Sequence, residues 1–204
     1  MNQLTSPPTM NSREKVLAAV LQNQPALSPL PDMSIFRGEP ADLAARYCDM
    51  GTYIGSKVYR AGSLAEVASL IQANFDTDKR IITTLPDLSD SFELLSDTAD
   101  PRTFNDVNLA IIKAKLAVAE NGAVWLTEQQ MGQRIIPYIC QHLAVVVLES
   151  SIVPTLHEAY AQIGAGDYGF GAFIGGPSKT ADIEQALVLG AHGPISMSLF
   201  VVND

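Results

Sequence analysis

The chain has 204 residues, of which 47% are hydrophobic and 17% charged, and its formal net charge is −9. This composition is that of a soluble α/β protein large enough to bury its own core, and the acidic balance lacks the cationic footprint that a nucleic-acid-binding protein needs. No stretch reaches the 18 apolar residues of a membrane span, and the first ten residues lack the features of a secretory signal, so we expect a cytoplasmic protein with no membrane segment.

The titratable residues give no pattern for a metal or a redox cofactor. Cys48 and Cys140 are far apart in sequence and form no Cys-x-x-Cys motif. Zinc ribbons and iron–sulfur clusters need several thiolates, so this chain by itself is predicted to hold neither. His142, His157 and His192 have no metal-ligand spacing, and we expect no protein-bound metal.

The chain is predicted to begin with a separate N-terminal segment. Residues 1–38 read as one helix and a proline-rich linker, and residues 39–204 as a single domain. Asn11 followed by Glu14 is a capping box, which predicts a helix over residues 12–21.

Within the domain, strands alternate with helices almost throughout. Predicted strands cover residues 53–59, 80–84, 107–112, 123–126, 143–148, 170–174 and 197–202. Helical segments are predicted over residues 40–50 (stopped by Gly51), 64–73, 114–120, 152–163 and 180–189, and a surface excursion with one short helix around Phe92 over residues 86–106. This order predicts an α/β fold with a mostly parallel, Rossmann-like sheet and helices on both faces.

The most informative segment follows the strand predicted at residues 170–174. It reads GGPSKTADIE over residues 175–184, and HGP follows at residues 192–194. Glycines let the backbone approach a ligand closely, and the start of the helix predicted from Thr180 offers unpaired N–H groups to an anion. Ligands of parallel α/β sheets bind beyond the carboxyl ends of the strands, so we expect this loop at that edge.

From these features the sequence predicts a pocket for a small anion. The ligand-binding candidates are Gly175, Gly176, Pro177, Ser178, Thr180 and Gly193. The candidates for polar contacts or proton transfer are Glu120, Asp182, Glu184 and His192. A structural interpretation stays open for each polar residue, because the acids can complement helix dipoles and the hydroxyl and imidazole groups can cap helices.

The segments at residues 176–184, 187–190 and 192–194 resemble the C-terminal signature of the LUD (lactate utilisation) domain family, within which they are most similar to the lactate utilisation protein C group. The resemblance extends upstream through residues 107–126, 134–147 and 152–163. One departure is Asn121, where the family usually has threonine; Glu120 and Gly122 fit the family pattern.

The resemblance implies a fold like that of the NagB/RpiA/CoA-transferase group. It also implies a role in a multi-component system that oxidises L-lactate to pyruvate. The cofactors would be iron–sulfur clusters on partner proteins, with none bound by this chain, which would be the cluster-free component.

Two other classes of function stay open. As fold relatives do, the chain could be a stand-alone enzyme for a small phosphorylated sugar, a CoA thioester or a folate-like substrate. It could also be a binding module without catalysis. Whether the chain is an enzyme by itself does not follow from its sequence.

Overall fold

The computed structural model describes residues 10–29, 31–32, 35, 42–96, 100–181 and 187–204. The chain divides into one unit of residues 1–33 and a second of residues 34–204. The first unit contains helix α1, Ser12–Gln22. Its N-cap residue Asn11 and Glu14 exchange two hydrogen bonds of 2.9 Å, which confirms the predicted helix and its capping box.

The second unit contains the remaining helices and the strands described here. The helices are α2 (Leu43–Tyr53), α3 (Leu64–Asn74), α4 (Glu128–Met131), α5 (Ile136–Ile139) and α6 (Leu156–Ile163). The strands are β1 (Lys57–Ala61), β2 (Ile81–Thr83), β3 (Glu93–Leu94), β4 (Leu109–Lys113), β5 (Leu116–Val118), β6 (Val124–Thr127), β7 (His142–Leu148), β8 (Ile152–Val153), β9 (Gly171–Ile174), β10 (Lys179–Ala181), β11 (Leu187–Leu189) and β12 (Ser196–Val202).

Six strands form a parallel sheet in the order β1-β12-β7-β4-β2-β3. The middle of β7 is a run of valines buried on both faces, a pattern that covered parallel sheets favour. Lys57, His142 and Ser196 start three adjacent strands and mark what we call the amino edge. Ala61, Lys113 and Leu148 end strands and mark the carboxyl edge. The predicted α/β fold with a mostly parallel sheet is confirmed.

A second sheet has the order β8-β5-β6-β9, with antiparallel pairs on both sides of β6. It includes β5, so the prediction of a helical turn over residues 114–120 is wrong. Ala117 faces the core between the two sheets, whereas Leu116 and Val118 face an outer apolar cluster. Because both faces of β5 are buried, the strand has no polar alternation that the sequence could reveal.

Each face of the parallel sheet is covered by a different layer. Helix α3 covers one face with Val67, Ala68 and Ile71. Helix α2 and the second sheet cover the other face, where Tyr47 and Val124 belong to the same core cluster as Val145. Helix α6 packs on the outer side of the second sheet, in the cluster that contains Trp125. The parallel sheet therefore has helices on both faces, and on one face the second sheet lies beside α2.

Two boundaries near α2 differ from the prediction. The helix continues through Gly51, where the sequence predicts its end, and β1 begins at Lys57 rather than at Tyr53. A Cβ atom on Gly51 would lie only 2.8 Å from Leu199 Cδ1. The glycine therefore allows the helix to approach the sheet closely, and it does not end the helix.

Arg80, directly before β2, binds residues in two described parts of the surface excursion, 86–96 and 100–106. Its guanidinium binds Glu93 at 2.7 and 2.9 Å, Asp106 at 2.7 Å and the Thr103 carbonyl oxygen at 2.6 Å. These bonds lower the pKa values of Glu93 and Asp106. Phe92 is buried, and strand β3 follows it directly, so the short helix is not centred on Phe92 as predicted. The described part of the excursion instead has short 3-10 helices at Pro86–Leu88 and Pro101–Phe104.

Candidate functional site

The loop at residues 175–178 lies at the amino edge of the parallel sheet. Ser178 N donates a 2.9 Å hydrogen bond to Pro194 O, and Ile195 N donates one of 2.9 Å to Gln141 O. Since β7 begins at His142 and β12 at Ser196, these bonds tie the loop to the beginnings of both strands. The prediction that the loop lies at the carboxyl edge is wrong.

The reason is that β9, which leads into the loop, belongs to the second sheet. It runs antiparallel to β6, and its last residue, Ile174, pairs with Val124, the first residue of β6. The alternation of strands and helices in the sequence predicts residues 170–174 as a further strand of the parallel sheet. Because β9 pairs antiparallel with β6, it runs in the opposite direction to the predicted one, and the glycine loop lies at the amino edge.

The loop is followed by a β-hairpin, so the predicted helix over residues 180–189 is wrong. Strands β10 and β11 pair antiparallel, with Thr180 opposite Val188. Thr180 Oγ1 also donates a 3.1 Å hydrogen bond to Val188 O across the hairpin. Both paired residues are β-branched, and such residues favour strands. Asp182 and Glu184 lie outside the described residues, and their roles stay predictions.

Residues from three parts of the chain converge around the C-terminal end of α2. We call this group the glycine junction, and it comprises Ile54, Gly55, Gly122, residues 175–179 and Gly193. Gly176 has φ +77°, and a Cβ atom on it would lie 2.7 Å from Ile54 O. Gly122 has φ +70°, and its added Cβ would lie 2.9 Å from Ile54 Cδ1. Both positions need glycine for conformation and for close approach.

Lys179 also belongs to this junction, although it is not among the site residues predicted from the sequence. Its ammonium group donates a hydrogen bond to Ile54 O, the C-cap residue of α2. A cation at this position also complements the negative end of the helix dipole. Added Cβ atoms on Gly176 and Gly55 would lie 3.2 and 3.6 Å from Lys179 Nζ, so the charge sits among the glycines. Its place inside the GGPSKT segment is the signal that could have identified it.

The structure places Glu120 next to the junction but gives its carboxylate a capping contact. Glu120 Oε2 accepts a 2.8 Å hydrogen bond from Leu156 N, in the first turn of α6. Two residues further, Gly122 reaches the glycine junction through Ile54. The neighbouring Asn121 uses its side-chain oxygen to accept a 3.0 Å hydrogen bond from Ala123 N.

His192 is exposed in the loop between β11 and β12. The next residue, Gly193, packs against the glycine loop at residues 175–178, because a Cβ atom on Gly193 would lie 3.3 Å from Ser178 Cβ. Ser178 is half-buried, and Gly176 and Pro177 are buried. The structure thus brings the glycine loop, residues 192–193 and the turn after β5 to the same edge of the sheet.

A second histidine also lies at the amino edge. His142 Nδ1 and Ser196 Oγ are 2.6 Å apart, on the first residues of two paired strands. Burial lowers the pKa of His142, and the positive charges of Lys79 and Lys57 lower it further. Within the described ranges, His, Cys, Asp and Glu side chains form no group of three that could hold a metal ion.

A profile of the LUD domain matches residues 88–202. This chain belongs to the LUD domain family. The match covers the strands and loops that build the glycine junction, except for the end of α2. None of the helices in the described ranges is long and apolar enough to cross a membrane.

Curated relatives also match part of the chain. A "Lactate utilization protein C" from Geobacillus thermodenitrificans is 36% identical over 103 residues, which are 48% of this chain and 43% of that protein. A protein of the same name from an Exiguobacterium species is 28% identical over 139 residues, which are 63% of this chain and 60% of that protein. The chain thus spans about half the length of these relatives.

A solved structure shows the same fold at low sequence identity. The crystal structure of a DUF162 family protein from Deinococcus radiodurans superposes with a TM-score of 0.62 at 18% identity. The match covers 80% of this chain and 98% of that one, and it supports the α/β fold of the second unit.

Proposed function

We propose that this LUD-domain protein acts in lactate utilisation in the cytoplasm, as a cluster-free subunit that supports the oxidation of L-lactate to pyruvate. The observation that carries the proposal is the LUD-domain match over residues 88–202 together with relatives named lactate utilization protein C. Oxidation of lactate releases two electrons, and we assign their acceptor to iron–sulfur clusters on partner proteins.

Within this proposal, the glycine junction binds the carboxylate of the small substrate. An ammonium group has three donors, and Lys179 uses one of them on Ile54 O, which leaves two for a carboxylate. The exposed backbone at Gly55 and Gly175 lets a ligand approach without meeting a side chain. The other motif residues, among them Asp182, Glu184 and His192, are proposed to supply polar contacts or proton transfer.

Two of the candidate residues have contacts that favour a supporting role. Thr180 binds the opposite strand of its hairpin, and Glu120 caps α6. In the proposal Thr180 shapes the pairing of β10 with β11, and Glu120 orients the turn that contains Gly122. Neither role requires direct contact with the substrate.

The test is deletion of the gene followed by growth on L-lactate as the carbon source. We expect growth on L-lactate to fail and growth on glucose to continue. A gene for the intact chain should restore growth, and one for the Lys179→Met variant should restore it poorly. The control is Lys115→Met, which removes an exposed positive charge outside the junction and should restore growth fully. Normal growth of the deletion strain on L-lactate would refute the proposal.

Purification of the tagged chain from cells grown on L-lactate tests the partner assignment. We expect iron–sulfur proteins to copurify, and the isolated chain to leave L-lactate unoxidised with an artificial electron acceptor. If the isolated chain instead turns over a CoA thioester or a phosphorylated sugar, it is a stand-alone enzyme and the subunit role is wrong.

A further inference from the structure

A cavity between helix α3 and the segment that leads into β3 has no role in the proposed function. Its volume is about 360 Å³, and small-molecule sites in proteins occupy roughly 300–1,000 Å³. The residues that line it are Gln72, Thr77, Lys79, Ile81, Ser91, Phe92 and Glu93. None of them belongs to the glycine junction, so the cavity is a separate place on the protein.

The cavity has an apolar floor and a polar rim. Ile81 begins β2, Phe92 directly precedes β3, and each of the two is 7% exposed. The other lining residues are exposed, and their side chains carry two hydroxyl groups, an amide, an ammonium group and a carboxylate. Such a lining suits a small molecule that has both an apolar face and several polar groups.

The charged side chains of the rim are already compensated by neighbouring charges. Lys79 Nζ lies 3.8 Å from Asp76 Oδ2. Glu93 accepts hydrogen bonds of 2.7 and 2.9 Å from Arg80, which lower the pKa of Glu93 and keep it ionised. A charged ligand would lose its hydration without gaining an uncompensated opposite charge. The electrostatics of the rim therefore favour an uncharged ligand.

Hydrogen-bonding capacity, in contrast, is left over. In the part of the chain that the structure describes, the side chains of Gln72, Thr77 and Ser91 make no hydrogen bond to another protein group. Hydroxyl and amide groups both donate and accept, whereas the ammonium group of Lys79 only donates and the ionised Glu93 only accepts. A ligand hydroxyl can pair with each of them because it also donates and accepts. The lining thus favours a molecule with several hydroxyl groups.

Both walls of the cavity are held by hydrogen bonds within the protein. In the turn after α3, Lys79 N donates a 3.3 Å bond to Asp76 O. On the other wall, Leu88 O accepts bonds of 3.1 and 3.0 Å from the backbone nitrogens of Ser91 and Phe92. Little backbone ordering is needed on binding, which reduces the entropic cost of association.

We propose that this cavity binds a neutral monosaccharide. The apolar face of the sugar ring lies on Ile81 and Phe92, and its hydroxyl groups bond to Gln72, Thr77 and Ser91. The proposal does not depend on the role in lactate utilisation, because it rests on the volume and the lining of a cavity that shares no residue with the glycine junction.

The test is an NMR titration of the full ¹⁵N-labelled chain with D-glucose, D-galactose and D-ribose. We expect at least one of these sugars to cause saturable shifts of the backbone amides of Thr77, Lys79 and Ser91. Cyclohexanol, a ring of similar size with a single hydroxyl group, loses several hydrogen bonds and should bind at least about tenfold more weakly. Absence of saturable shifts in the cavity with all three sugars, or equal binding of cyclohexanol, would overturn the proposal.

Two variants test the rim. Gln72→Ala and Ser91→Ala each remove one neutral hydrogen-bonding group, so each should raise the Kd of the sugar by about two- to tenfold. The matched control is Ser89→Ala, which changes an exposed serine outside the cavity and should leave the Kd unchanged. Circular dichroism checks that each variant is folded. Equal effects of Ser91→Ala and Ser89→Ala would contradict the proposed contacts.

The results also separate this site from the glycine junction. Sugar-induced shifts confined to residues 175–179 would place the sugar at the junction and overturn the cavity. Loss of growth on L-lactate in the deletion strain, together with no sugar binding, would refute the cavity alone. Sugar binding in the cavity of a chain whose deletion does not affect growth on L-lactate would retain this site and refute the proposed function.

Discussion

The close packing of the glycine junction predicts that adding one methyl group at Gly176 destabilises the protein. In Gly176→Ala, the new Cβ atom would lie 2.7 Å from the backbone oxygen of Ile54, in a residue with φ +77°. The positive φ costs alanine about 1–2 kcal/mol, and crowding in a packed site costs about 1–3 kcal/mol. Reduced entropy of the unfolded chain returns about 0.4–1 kcal/mol. Together these contributions span about 1–4.6 kcal/mol, and we expect a net loss near the middle of this range, about 2–3 kcal/mol, in the free energy of unfolding.

The neighbouring glycine is the matched control. A Cβ atom on Gly175 would make only ordinary contacts, the nearest at 3.7 Å to Ala123 Cβ, and its φ is outside the left-handed region. Gly175→Ala should therefore change the free energy of unfolding by less than about 0.5 kcal/mol, or stabilise slightly. The two variants differ by one position in sequence and share the same change in composition.

Urea denaturation followed by the fluorescence of Trp125, the single tryptophan, measures both variants. This residue is 5% exposed, so unfolding transfers its ring to water and changes its emission. At about 2–4 °C per kcal/mol for a chain of this size, Gly176→Ala should also lower the Tm by about 4–12 °C. Equal midpoints for the two variants would refute the packing of the loop against the end of α2.

Three further predictions concern the polar residues. Asp182→Asn should impair growth on L-lactate while leaving the Tm unchanged within about 1 °C; a markedly lower Tm with normal growth would make Asp182 a structural residue. Glu120→Ala removes the acceptor for Leu156 N and should lower the free energy of unfolding by about 0.5–2 kcal/mol, measured in urea against the intact chain; no change would exclude the capping role. Burial lowers the pKa of His142 in the folded chain, so as the pH falls below about 6.5 the unfolded chain binds this proton before the folded chain does. The free energy of unfolding should therefore decrease with falling pH until the pH passes the lowered pKa. His142→Gln should flatten this part of the stability profile, and an unchanged slope between about pH 5 and 7 would exclude the histidine as its source.

Local sequence signals predicted many individual elements correctly. The capping box at Asn11 identified α1, and Ser63, which accepts a hydrogen bond from Glu66 N, identified α3. The valine run of β7 identified a strand buried on both faces. Each of these signals depends on residues close together in the chain, so the sequence reveals it without knowledge of the tertiary contacts.

The predictions that failed depend on contacts between distant segments. Gly51 is interpreted from the sequence as the end of a helix, but it lies inside the helix, where the absence of a Cβ atom leaves room for the Leu199 side chain on β12. Residues 114–120 read as a helical turn, but burial on both faces by the two sheets makes β5 a strand. The carboxylates that follow Thr180 in sequence predict the first turn of a helix. Thr180 instead pairs with Val188, so this segment forms a hairpin.

The candidate site was recognised by its residues and misplaced in the fold. The sequence alone determined that glycines, small hydroxyl residues and a lysine follow one strand, and that this strand belongs to an α/β protein of the LUD type. Only the tertiary structure decided that the strand runs antiparallel to β6 in a second sheet. Strand direction is set by long-range pairing, and it moved the glycine loop to the amino edge.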